Sequence, residues 1–112
     1  MQIETKEYFK EILKELAKIL HFEAHAAQAS FLIKLHDFLD ENSIDEFERG
    51  INSVFMWGGA GAVWEVYIMN QEIQKEFFNQ LNKLILFMKQ ENIMSKMAKS
   101  RLKTIEKILK KM

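Results

Sequence analysis

The sequence predicts an all-α fold, an antiparallel bundle of four to five helices, and three observations carry that prediction. Apolar residues recur three and four apart over most of the chain, the spacing of one helical face. Proline is absent, and three of the four glycines fall in Gly58-Gly59-Ala60-Gly61, so helix breakers are confined to one place. Alternating strand-like patterning has no pair of segments to join.

The first helix is expected from Ile3 to Leu20, with Phe9, Ile12, Leu13, Leu16, Ile19 and Leu20 inward. Glu7–Lys10, Glu11–Lys14 and Glu15–Lys18 stand three apart on its outside, a spacing that lends local support. The second helix is expected from Ala24 to Leu39, on Phe31, Leu32, Leu35, Phe38 and Leu39; Ala24, Ala26, Ala27 and Ala29 leave room for a neighbour to approach. Ser43-Ile44-Asp45-Glu46 has the form of a capping box, in which serine and glutamate satisfy each other's free N–H groups. The third helix it opens buries Ile44, Phe47, Ile51, Val54 and Phe55 and ends at the glycines. Residues 62–69 have the β-branched and aromatic content of a short strand, but without a partner strand they are read as helix. Asn70 caps a long helix with Ile73, Phe77, Leu81, Leu84, Ile85 and Met88 inward. A last helix follows Ser95 on Ala98, Leu102, Ile105, Leu109 and Met112.

A chain of 112 residues with 48% apolar content reads as a single domain over 1–112, with enough material for a core. Without cysteine, neither a disulfide framework nor a thiolate metal site is possible. The start Met1-Gln2-Ile3-Glu4 lacks a basic segment followed by an apolar one, and no apolar run reaches spanning length. The expectation is a cytoplasmic protein with no membrane insertion. Net charge is zero, but residues 35–65 hold seven acids against one arginine, and residues 92–112 hold seven bases against one glutamate. Opposite poles on a neutral chain do not describe a nucleic-acid binder; they suit contact within a chain or between chains.

The segment from Phe55 to Glu65 is the most informative one. Clustered glycines report a geometric need, and Trp57 and Trp64 flank them. In Gly58, Gly59, Gly61, Ala62 and Glu65 the segment resembles a family of small uncharacterised bacterial helical proteins. Their shared feature is Gly-Gly-x-Gly, a small residue, two further residues and an acid. Ala62, Trp64 and Glu65 stand where that family commonly has serine, asparagine and aspartate. The resemblance implies a bacterial origin and a helical fold, and brings no activity.

The glycines are not a phosphate loop, since no Lys-Ser or Lys-Thr follows and Glu65 would repel phosphate. Nor do they sit in the strand-helix-strand unit of a dinucleotide site. They are read as a turn that permits close packing. Glu65 is expected to accept a hydrogen bond from the loop backbone. His21 and His25 lie four apart, with His36 and Asp40 beyond; without repeated Glu-x-x-His pairs they are read as surface or packing residues, and no metal or other cofactor is expected. Serines 30, 43, 53, 95 and 100 stand in no nucleophile context, so no catalytic residue is assigned.

What remains is a non-enzymatic protein-interaction module, immunity-type or regulatory, that binds a protein partner or itself. Trp57, Trp64 and Tyr67 are the candidate anchors, because aromatic residues dominate interface energetics. Gly58, Gly59, Gly61 and Glu65 complete the candidate site. The alternative is a small-ligand pocket between helices, roofed by the glycine loop.

Overall fold

A computed structural model describes all 112 residues and is all-α, without a strand. The helices are α1 (Ile3–Phe22), α2 (Ala26–Asp40), α3 (Ile44–Ile51), a single turn α4 (Val54–Trp57), α5 (Gln71–Gln90) and α6 (Lys96–Lys111), with a 3-10 turn at Val63–Glu65. None is long and apolar enough to cross a membrane. Where the sequence reads as one domain, the helices group into two compact units, Met1–Ile51 and Asn52–Met112.

In the first unit, α1 and α2 form an antiparallel hairpin. Lys6, at the start of α1, donates to Asn42 Oδ1 just beyond α2, at 2.7 Å. Lys10 pairs with Asp40 one turn further in. The core is Phe9, Leu13, Leu16 and Leu20 of α1 with Leu32, Leu35 and Leu39 of α2, all nearly or fully buried. From α3 come Phe47, whose ring meets that of Phe9 edge-on at 5.1 Å, and Ile51. At Gly50 a Cβ would run into the Leu35 side chain, so α2 and α3 pack where a side chain is missing. Ser43 stands at the start of α3, its carbonyl accepting the first helical bond from Phe47 N–H at 3.0 Å.

The second unit is built on the antiparallel pair α5 and α6, with Phe77, Leu81, Leu84, Ile85 and Met88 facing Ala98, Leu102 and Ile105. The cap expected at Asn70 forms, and Ser95 caps α6. Asn70 Oδ1 accepts from Glu72 and Ile73 N–H, and Ser95 Oγ from Ala98 N–H. Asn52 fastens the chain before α4 to the α5–α6 turn: its Nδ2 donates to Ile93 O at 2.7 Å, and its Oδ1 accepts from Ser95 N–H at 3.0 Å.

Three expectations change. The third helix stops at Ile51, before Asn52-Ser53, instead of running to the glycines. The chain restarts as α4, which leaves Val54 and Phe55 exposed and buries Met56 and Trp57 instead. Residues 62–69 form one 3-10 turn followed by extended backbone, neither a long helix nor a paired strand. Met112, placed on the α6 stripe, is exposed at the helix end.

Candidate functional site

The glycine segment is a turn held by side chains. Gly58 closes α4, its N–H donating to Val54 O at 2.7 Å. A Cβ on Gly58 would lie 2.5 Å from that same Val54 oxygen, so glycine is required there by close approach. Gly61 takes φ +89°, where L-residues are strained. A Cβ on Gly59 would meet nothing within 4 Å, so no geometric need fixes it as glycine.

Two side chains secure the carbonyls this turn leaves open. Trp64 Nε1 donates to Gly58 O at 2.6 Å. Arg101 Nε donates to Trp57 O at 2.7 Å, and its guanidinium lies over the Trp64 ring, 4.3 Å from the centroid. Only a planar guanidinium can stack on an indole and donate sideways at once. Arg101 is the one arginine among the lysines of α6, the feature of the sequence that sets it apart.

Trp57 is fully buried, which removes it as a surface anchor: its carbonyl accepts from Arg101 and its N–H donates to Ser53 O, both internally. Glu65 is exposed, and the loop backbone is held by Trp64 and Arg101, not by its carboxylate. Trp64, Glu65 and Tyr67 do come together. With Gln74 and Phe78 of α5 and Ile108 of α6 they line an open groove of about 350 Å³, to which Met112 also contributes. Gln74 shapes the groove wall: its Oε1 accepts from Ile68 N–H at 2.6 Å and fixes the extended segment, while its Nε2 is buried without a protein partner. Tyr67 and Met69 project from that segment, 68% and 82% exposed. The glycines do not line the groove, so the pocket is not roofed by them.

The groove is apolar in its floor, and Glu65 is the one charged side chain that lines it. Lys75 stands beside Gln74 on α5, and Lys107 and Lys111 flank Ile108 on α6, all exposed. The second unit as a whole carries ten basic residues against five acidic ones, the first unit six against eleven.

The histidines do not assemble. His21 lies on α1, His25 precedes α2, and only His36 meets acids, its Nδ1 3.1 Å from Asp37 and 3.6 Å from Asp40. The ligand atoms of these three residues lie within 4.8 Å of one another, but the Lys10 ammonium already pairs with Asp40. That hydrogen bond holds the Asp40 carboxyl below its ordinary range, with the charges of Lys10, His36 and Lys14 acting the same way against a smaller opposing effect of burial.

No family model, curated protein or solved structure matches this chain.

Proposed function

We propose that the chain is a non-enzymatic protein-interaction module, regulatory or immunity-type, that binds an acidic partner protein through the groove of its second unit. The observation that carries this reading is the juxtaposition of exposed Tyr67 and Met69 with an apolar channel walled by Trp64, Phe78 and Ile108. An aromatic anchor over an apolar floor is the usual composition of an interface hot spot. The basic excess of the second unit, ten basic residues against five acidic ones, supplies the complement to a partner's carboxylates. Trp64 contributes as a wall that Arg101 holds rigid, and Tyr67 as the free anchor, so the test belongs at position 67. The groove is open to solvent, which suits a protruding segment of a protein better than a small ligand, whose surface must be mostly enclosed.

A photoreactive phenylalanine analogue at position 67 tests the reading in lysate of the source cells, with the same group at Lys83, outside the groove, as control. The expected result is one covalent partner with an acidic contact surface, captured from position 67 and lost at high salt. Equal capture from both positions, or none from either, contradicts it. A metabolite thermal-shift screen addresses the small-ligand alternative: a ligand at 100 times its Kd raises stability by about 2.7 kcal/mol.

A further inference from the structure

We infer that a second copy of this chain docks antiparallel along the outer face of α1. The inference concerns the first unit and does not depend on the aromatic groove of the second.

The outer face of α1 has two halves of opposite character. In the first half Ile3, Glu4, Glu7, Tyr8 and Glu11 surround a shallow hollow of about 360 Å³. In the second half Lys14, Ala17, Lys18 and His21 form one wall of a larger hollow, about 660 Å³, whose other wall includes Ala26, Ala29 and Ile33 of α2. Lys34 adds a third ammonium at its rim, against the single carboxylate of Asp37. A basic hollow is thus set into a unit with five more acids than bases.

A helix dipole alone favours acids first and bases last, but it does not account for two further observations. Of the three spacings suited to ion pairs along α1, only Glu7–Lys10 forms, at 3.3 Å; Glu11–Lys14 and Glu15–Lys18 do not. Lys14 and Lys18 therefore form no ion pair along their own helix, although glutamates stand three residues away. The same face also exposes large apolar groups, Ile3 at 68% and Phe22 at 81%, together with the Tyr8 ring.

Both halves find their complement in an antiparallel copy of α1. With residue 11 opposite residue 14, Glu11 meets the second copy's Lys14, Glu7 its Lys18 and Glu4 its His21, while Ile3 falls at the level of its Phe22. A two-fold axis repeats every one of these contacts, which makes the surface self-complementary. The 20 residues of α1 give an interface about 30 Å long. Its ion pairs are exposed at the rim, so the association is salt-sensitive.

Sedimentation equilibrium on three proteins tests this: wild type, the acidic-face variant Lys14→Glu/Lys18→Glu, and the basic-face variant Glu7→Lys/Glu11→Lys. These are exposed positions, and the second variant keeps the Lys10–Asp40 pair; circular dichroism checks that helicity is unchanged. The expected result is a wild-type dimer that weakens about tenfold or more from low to high salt. Each variant alone is a monomer, and an equimolar mixture of the two dimerises again. A wild type that stays monomeric at low salt and high concentration overturns the inference. So do variants that dimerise as tightly as wild type, or a mixture that stays monomeric.

Discussion

At Ala24 the backbone stands at φ +64°, a conformation that costs a residue with a Cβ about 1–2 kcal/mol. It follows α1, where Ala24 N–H donates to His21 O and His25 N–H to Leu20 O, the paired bonds that close a helix through a left-handed residue. Asn42 and Asn92 close α2 and α5 the same way, at φ +62° and +61°. Ala24→Gly is therefore expected to raise stability by about 1 kcal/mol in urea unfolding; an unchanged or lower midpoint would contradict it. The glycine segment sorts equally sharply. Gly58→Ala is expected to cost about 2 kcal/mol or more through its clash with Val54 O, Gly61→Ala about 1 kcal/mol, and Gly59→Ala nearly nothing. Equal costs at all three would mean that the cluster acts as a unit. From the sequence the three glycines look alike, because a backbone clash and a positive φ are set by the path of the chain. The helix stops at Ala24, Asn42 and Asn92 are hidden for a related reason: no glycine marks them.

The Asn70 cap was legible, since Asn70 acts on N–H groups two and three residues ahead, and Ser95 marked the start of α6 that its hydroxyl caps. The break after Ile51 was not. Asn52 is bonded to Ile93 and Ser95, more than forty residues away, and no composition signal announces that contact. Asn52→Ala leaves Ile93 O and Ser95 N–H without this partner and is expected to cost about 2 kcal/mol in thermal unfolding. Arg101→Lys is a sharper probe of the glycine turn, because a lysine keeps the charge but not the planar stack or the sideways bond. It is expected to destabilise by about 1–2 kcal/mol and to speed amide exchange at Gly58–Ala62; exchange as slow as in wild type would show that the turn holds itself. In the first unit the Lys10–Asp40 bond gives a pH signature. Asp40 is held below its ordinary 3.8 and Lys10 above its ordinary 10.5, each chiefly by the hydrogen bond between them. Asp40 contributes stability above 3.8 that is lost as pH falls through its lower folded value. Lys10 contributes below 10.5 and loses it as pH rises through its higher folded value. Wild type should thus exceed Asp40→Asn in stability between these limits, and the gap should narrow as pH falls below 3.8; a gap that stays constant in acid would contradict the assignment.

The helical class and most of the buried stripe residues follow from periodicity alone, which is why Phe9, Leu13, Leu16, Leu32, Leu35, Phe77 and Leu81 are core both by pattern and in the fold. The division at Ile51 and Asn52 has no proline or linker-like run to mark it, and Gly50 beside it serves the packing of α3 against Leu35. The candidate site was half legible. Trp64, Glu65 and Tyr67 stand out because aromatic residues beside glycines attract notice, whereas Phe78, Ile108 and Met112 join them only through the pairing of α5 with α6. Trp57 shows the limit of that signal: one turn of helix decides whether a tryptophan anchors a partner or fills a core, and which face of α4 turns inward is a tertiary matter. The most direct test of the proposed role is the affinity of the cross-linked partner, once purified, for wild type and for Tyr67→Ala, whose helicity should be unchanged. Binding weaker by about thirtyfold, the size of a hot-spot loss, is the predicted result, and an affinity equal to that of wild type would contradict it.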